Sequence, residues 1–197
     1  DTLSLHDALP ISEYTVGAIR NAKDALIFYP DFECWFYVHQ ESVPNNVIKE
    51  LLSMPNVKVF LKKGNLQICK PMMWRFEAID HPEVELMLSR DTDTRFLLRE
   101  KLAVEDWIES NKPFHIMRDH PYHENKIMGG MFGTRKIEAI GLWSSLFPLV
   151  NQHSHRDYDQ DFLRDHIYPH VKETNCSIIH ASFNKYENHA IDFPILY

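Results

Sequence analysis

An α/β fold with a mostly parallel sheet flanked by helices is predicted by three observations. Short apolar runs rich in β-branched and aromatic residues recur along the chain, such as Cys34-Trp35-Phe36-Tyr37-Val38 and Val57-Lys58-Val59-Phe60-Leu61. Stretches with helical spacing alternate with them, which is the pattern of βαβ units. Polar residues gather just past the apolar runs, and Asp91-Thr92-Asp93 does so most clearly, directly after Val84-Glu85-Leu86-Met87-Leu88.

Taken in order, residues 14–29 have helical spacing, with Val16, Ile19, Ala22, Ala25 and Leu26 on one face and Pro30 as the stop. The run 34–38 is a strand. Residues 44–52 read as a helix with proline near its start and Ile48, Leu51 and Leu52 inward. A strand over 57–61, a helix over 72–79 and a strand over 84–88 follow. Residues 95–110 form an amphipathic helix with Leu98, Leu102, Trp107 and Ile108 as its apolar positions. Residues 114–117 are a short strand, and the polar, His-rich 118–125 a loop. Residues 127–132 are apolar but broken by Gly129-Gly130; glycine inside such a run marks a bulge or the close approach of a ligand. Helices are predicted over 136–147 and 158–171, with Trp143 and Phe147 as core residues, and a last strand over 177–179.

Composition narrows the function classes. A chain of 197 residues suits one domain, and 44% hydrophobic content supports a core. The net charge of −7 disfavours non-specific nucleic-acid binding, so no nucleic-acid partner is expected. The three cysteines, Cys34, Cys69 and Cys176, are scattered and show no zinc spacing. This favours a reducing, cytoplasmic setting. No apolar run approaches ~18 residues, so no transmembrane helix is predicted. Twelve histidines make any single one less informative.

Residues 2–11, Thr-Leu-Ser-Leu-His-Asp-Ala-Leu-Pro-Ile, resemble a common sequencing-adapter oligonucleotide translated in one reading frame. Residues 1–12 are therefore read as a foreign leader outside the fold. Residues 13–197 are read as a single domain that has lost its native start. The final Phe193-Pro194-Ile195-Leu196-Tyr197 has no tail-like composition, which leaves a cut C-terminus open.

The chemistry centres on Asp91 and Asp93. Two carboxylates two residues apart, past a strand end, can reach one divalent cation, and Mg²⁺ or Mn²⁺ commonly binds through one or two carboxylates plus substrate phosphates. A solvated turn that caps a helix is the plainer alternative. In parallel sheets ligands bind beyond the carboxyl ends of strands. The loop Arg118-Asp119-His120-Pro121-Tyr122-His123 and the residue His180 also follow strands, so three polar groups stand to converge there.

Three linked blocks carry a resemblance: Ser89-Arg90-Asp91-Thr92-Asp93-Thr94-Arg95, then Phe114-His115-Ile116-Met117-Arg118-Asp119-His120-Pro121-Tyr122-His123, then Gly129-Gly130-Met131-Phe132-Gly133. Together they resemble GT-A-type glycosyltransferases with an Asp-x-Asp motif, in particular a group of little-characterised microbial and viral sequences. The likeness runs from about residue 14 to the C-terminus. It is looser to the retaining glycogenin-like families, where Asp91 and Asp93, Gly129-Gly130, Asp159-Gln160-Asp161 and His180 fall on matching positions. No Gly-Lys-Pro-Trp-like ending follows His180, where the chain departs from those families.

The resemblance implies a Rossmann-like GT-A sheet whose first strand is missing, and a metal-dependent sugar transfer from a nucleotide-sugar donor. The acceptor, whether glycan, lipid or protein, is not given. Mn²⁺ or Mg²⁺ would be held by Asp91, Asp93 and His180. Asp159, Asp161 and Asp119 are the catalytic candidates. Asp119 would orient an acceptor hydroxyl, while Asp159 and Asp161 would either contact sugar or cap a helix. Arg75, Arg90, His120, His123, Gly129, Gly130 and Gln160 are the substrate-binding candidates. Arg75 would oppose leaving-group charge or form a surface salt bridge. Arg90 and Arg95 would lock the aspartates by bidentate pairing. His120 and His123 would bind metal or sugar hydroxyls, and Gly129-Gly130 would leave room for the sugar. Two rivals remain. Leu86-Met87-Leu88 before Asp91-Thr92-Asp93-Thr94 also resembles the haloacid-dehalogenase-type phosphatases, with Asp91 as nucleophile. The other rival is a sugar-nucleotide-binding fragment without turnover.

Overall fold

The computed structural model describes residues 2–6, 12–66, 70–150 and 157–195. Residues 1 and 7–11 of the presumed leader, Cys69, and the last two residues lie outside this set. Seven strands form one sheet: β1 (Thr2–His6), β2 (Glu33–His39), β3 (Val57–Lys62), β4 (Leu86–Asp91), β5 (Phe114–Arg118), β6 (Met131–Arg135) and β7 (Ser177–Ala181). Their spatial order is β3-β2-β1-β4-β6-β5-β7. Every pairing is parallel except the two made by β6. This is the predicted α/β architecture, a mostly parallel sheet flanked by helices.

Three expectations change. A strand stands at the sheet position expected to be empty: Thr2–His6, inside the segment read as a leader, runs between β2 and β4 with Leu3 fully buried. A short strand in that place needs a free ladder on each side and one apolar side chain for the core, and this segment supplies both. The second change is β6, which the glycines at 129 and 130 conceal; its regular ladder starts only at Met131, and it runs against its neighbours. The third concerns helices. Residues 71–80 form a 3-10 helix (Pro71–Asp80) with seven of ten residues buried. Packing on nearly all sides decides its geometry in place of an amphipathic face. Residues 143–149 are likewise 3-10, and residues 158–171 split into α4 (Tyr158–Phe162), a π turn and α5 (Tyr168–Val171).

One face of the sheet carries α1 (Ser12–Phe28), α2 (Asn45–Leu52) and α3 (Leu98–Ser110) over Leu3, Phe36, Val38, Leu86, Leu88 and Met117. The buried stripe of α1 is Gly17, Ala18, Asn21, Ala22 and Ala25, while Val16, expected inward, is 61% exposed. Small residues let α1 lie against the Asp91–Thr92 backbone, where a β-carbon on Gly17 would overlap the Thr92 carbonyl. The other face carries the two 3-10 helices, α4 and α5 over an aromatic core. There Phe114 and Phe132 stack at 5.4 Å, and Phe76 packs on Phe162 at the same distance. Phe76 adjoins Arg75, and Phe162 lies one turn past Asp159, so this core sets the height of both polar side chains above the sheet.

Among the described residues no helix is long and apolar enough to cross a membrane.

Candidate functional site

The order of the strands reverses between β1 and β4, with β2 and β3 to one side and β6, β5 and β7 to the other. Such a switch point opens a crevice at the carboxyl ends of the strands. Asp91 is the last residue of β4 and pairs in register with His6 at the end of β1. The sheet itself therefore delivers Asp91 to this crevice.

Six residues meet there. Arg75 is buried and its Nη1 donates to Asp91 Oδ1 at 2.5 Å. The Asp91 side chain remains 35% exposed. Gly130 lies beneath it, and a β-carbon at 130 would overlap the carboxylate. Gly129 carries Asp159 and Gln160 in the same way: a β-carbon there would lie 2.6 Å from Asp159 Oδ2 and 3.6 Å from Arg75 Nη1. The Gly129 N–H donates to Gln160 Oε1 at 3.2 Å, and Ser89 Oγ donates to the Gly129 carbonyl at 2.6 Å. The two glycines thus make room for protein carboxylates, where the sequence suggests room for a sugar.

Asp159 is fully buried at the start of α4, and Oδ1 has no hydrogen-bond partner among the described residues. Burial pushes its pKa up to about 6; the Arg75 charge opposes this and the Asp91 charge adds to it. The Met72 N–H donates to Tyr158 Oη at 3.0 Å, which ties the start of α4 to the helix that carries Arg75.

The loop after Asp91 is fastened through its backbone. Asn21 Nδ2 donates to the Asp91 and Thr92 carbonyls at 3.3 and 3.2 Å, and Arg95 Nη1 to the Thr92 carbonyl at 3.1 Å. Thr94 Oγ1 donates to the Asp91 carbonyl at 3.0 Å. Arg95 thus steadies the motif, through carbonyls and not by the expected bidentate pairing. Ser89 and Asn21 were missed by sequence reasoning. A buried asparagine among the alanines of α1 is the signal that marks Asn21.

Other candidates lie elsewhere. Side chains alternate between faces along a strand, so Arg90 points away from Asp91. It is buried with Glu100, Nε to Oε1 at 2.5 Å, and Tyr29 Oη donates to Glu100. Arg90 is therefore corrected from substrate binding to a core ion pair. His180 lies on that second face as well, in register with Met117 and three strands from β4, about 14 Å away in the plane of the sheet. Its ring bonds Asp106 at 3.1 Å and His115 at 3.0 Å. It does not join Asp91, so the three-ligand set does not form.

Asp93 is exposed. Asp119 pairs with Arg99 at 2.9 Å and with His123 at 3.0 Å, and the His123 contact, above all, holds its pKa below the ordinary carboxylate value. His120 is exposed, and its Nδ1 accepts the Tyr122 N–H. Asp161 turns outward to Arg164 at 2.6 Å. Among the described residues no group of three or more His, Cys, Asp or Glu is placed to hold a metal.

No protein-family model and no curated protein matches this chain. Among solved structures it is similar to 4-diphosphocytidyl-2C-methyl-D-erythritol synthase from Anaerococcus prevotii, at 12% identity and a TM-score of 0.50, over 96% of this chain and 88% of that one. This likeness shows a shared fold, a mostly parallel Rossmann-like sheet flanked by helices.

Proposed function

We propose that the chain is a glycosyltransferase domain that moves a sugar from a nucleotide-sugar donor, with the cluster of Arg75, Asp91, Asp159 and Gln160 as its reacting end. The carrying observation is the convergence of these residues over Gly129-Gly130 at the switch point of the sheet. The blocks that resemble glycosyltransferases supply Asp91 and Gly129-Gly130, and the looser likeness to the glycogenin-like families supplies Asp159 and Gln160. The similar fold belongs to a protein whose name describes a diphosphocytidyl product, which fits a nucleoside diphosphate in this crevice.

In the transfer, the bond between the anomeric carbon and the diphosphate oxygen breaks, and an acceptor oxygen takes the carbon. The leaving diphosphate gains negative charge, which the Arg75 guanidinium opposes at close range. Asp159, about 6 in pKa and largely ionised at neutral pH, accepts a hydrogen bond or proton from a sugar hydroxyl. Gln160 fixes the Gly129 backbone beside it. With His180 on the far face, Asp91 and Asp93 remain as cation donors. Mg²⁺ commonly binds through one or two carboxylates plus substrate phosphates, so these residues would hold a cation only together with the phosphates of the donor. Such a cation, when bound, supplies Lewis-acid neutralisation of the diphosphate.

The phosphatase reading requires the Asp-x-Asp to close the first strand of the sheet. Here β1, β2 and β3 precede β4, and Asp91 is held by Arg75.

The test is a panel of nucleotide sugars with Mn²⁺, followed by release of nucleoside diphosphate. Turnover that is lost in Asp91→Ala and in Asp159→Asn supports the reading. Hydrolysis of a generic aryl phosphate with no response to any nucleotide sugar overturns it.

A further inference from the structure

We propose that Ser89 is a positioning residue, whose hydroxyl holds the Gly129-Gly130 turn in the one backbone form on which the carboxylates of Asp91 and Asp159 are seated. That these carboxylates serve a sugar transfer rests on the glycosyltransferase reading above.

Side chains alternate along β4, so Met87, Ser89 and Asp91 share the face that carries the crevice. Ser89 is fully buried in that row, and a buried hydroxyl is costly unless it is bonded. Its Oγ donates to the Gly129 carbonyl at 2.6 Å. This bond reaches past the end of the β4–β6 ladder, whose last pair is Arg90 with Met131.

Residues 128–131 form a β-turn, closed by the Met131 N–H on the Met128 carbonyl at 3.0 Å. Gly129 and Gly130 are its central residues, and neither has a positive φ. This is the type I arrangement. A type II turn differs by a flip of the central peptide and needs a positive φ at its third residue, which glycine adopts as readily as a negative one. A Gly-Gly turn is therefore open to both forms, and its neighbours decide between them. The flip would carry the Gly129 carbonyl away from β4 and leave the Ser89 hydroxyl without its acceptor in a buried place. Gln160 grips only the Gly129 N–H, on the preceding peptide, at 3.2 Å. Ser89 grips the peptide that can turn.

Both carboxylates rest on this turn. A β-carbon on Gly130 would overlap that of Asp91, and one on Gly129 would lie 2.6 Å from Asp159 Oδ2. Residues that favour type I by themselves would strike a carboxylate at either position. The bias must come from outside the turn, and Ser89 supplies it.

The chain has six glycines, so the full chain labelled in glycine gives a sparse magnetic resonance spectrum. Couplings from the Gly130 amide to its two α-protons report the sign of φ. The unaltered chain is expected to show one form, with negative φ. Ser89→Ala is expected to raise a positive-φ form about 10-fold, for the loss of one hydrogen bond. Ser89→Thr keeps the hydroxyl and is expected to restore the single form. Ser89→Cys, close in size but a weak donor, is expected to lie between these two, and it serves if Ser89→Ala does not fold. With a nucleotide sugar that the chain turns over, kcat is expected to fall about 10-fold in Ser89→Ala with KM nearly unchanged, and to recover in Ser89→Thr. A single negative-φ form in both Ser89→Ala and Ser89→Cys overturns the proposal. So does an equal loss of kcat in Ser89→Ala and Ser89→Thr. A flipped turn in a chain that turns over no nucleotide sugar leaves the grip of Ser89 standing and brings down the transferase reading instead.

Discussion

Gly130 lies directly beneath the carboxylate of Asp91, so close that a single β-carbon at 130 would overlap it. Arg75 Nη1 donates to Oδ1 of the same carboxylate. A side chain pinned this way cannot move aside without breaking its ion pair. Gly130→Ala is expected to destabilise the fold by about 1–3 kcal/mol, the usual range for forced overpacking. Placing Asp91→Ala in the Gly130→Ala background removes the overlap. Urea unfolding of the four proteins in the cycle is expected to show losses that fall short of additive by about 1 kcal/mol. Strict additivity would mean that the two residues do not touch.

Asp159 destabilises the protein when it is charged. Its pKa rises from 3.8 to about 6 on folding, with burial as the main cause. A raised native pKa means that the protonated form is favoured in the folded state. The contribution is full below the unfolded value and is lost as pH climbs through the native one. Asp159→Asn is therefore expected to stabilise the chain at pH 8, by up to about 3 kcal/mol, and to have little effect near pH 4. The asparagine oxygen can still accept from Gln160 Nε2, which now reaches Asp159 Oδ2 at 3.4 Å. Equal effects at both pH values would remove the buried charge as the cause. A residue that costs stability in this way is what a reacting group in a prepared site looks like.

Much of this site is legible in the sequence where local pattern and strand order coincide. Asp91, Gly129-Gly130 and Asp159-Gln160 each sit next to a recognisable apolar segment, and all five positions meet. Face assignment is where sequence reasoning fails. Arg90 and Asp91 are neighbours in sequence but lie on opposite faces, a consequence of period two that only matters once β4 is known to run through Asp91. His180 is displaced for the same reason, combined with a strand order that puts β6 and β5 between it and β4. The buried face of α1 is misread because alanine and glycine are chosen there for closeness to the Thr92 backbone, while the larger Val16 faces outward. β6 is hidden because Phe132-Gly133-Thr134-Arg135 has little apolar content. Gly133 leaves space for the Trp107 ring, a long-range demand that no local pattern carries.

Arg90 and Glu100 bind each other inside the helical layer, with side-chain exposures of 1% and 9%. Glu100→Gln leaves the guanidinium with a neutral partner in a buried place. A loss of about 3–5 kcal/mol is expected, the range for breaking one side of a buried pair. Thermal or urea unfolding measures it. Because Arg90 faces away from the crevice, donor binding by the protein that remains folded is expected to be unchanged. A large change in donor affinity with little change in stability would return Arg90 to the site.

His115, His180 and Asp106 form a chain from the core to the surface on that same layer. The exposed Asp106 carboxylate accepts from His180 Nε2 at 3.1 Å, so His180 Nδ1 is left to accept from His115 Nε2 at 3.0 Å. His115 Nδ1 is then bare, and it is buried with no hydrogen-bond partner among the described residues. The ring stacks on Trp107 of α3 at 5.5 Å, and Arg90 of β4 adds a positive charge nearby. Burial first, then His180 and Arg90, hold the His115 pKa well below 6.5. Burial lowers that of His180 too, against the pull of Asp106. A depressed native pKa gives stability that is present above the unfolded value and lost as pH falls below it. The unfolded chain takes up protons that the folded one refuses, at about 1.4 kcal/mol per pH unit for each histidine. Stability is expected to drop between pH 7.5 and 5.0, and His115→Gln, which cannot take up a proton, is expected to flatten that drop by about 1–2 kcal/mol. Urea unfolding at the two pH values measures both slopes. An identical decline in His115→Gln would show that the imidazole pair does not govern the acid sensitivity of this layer.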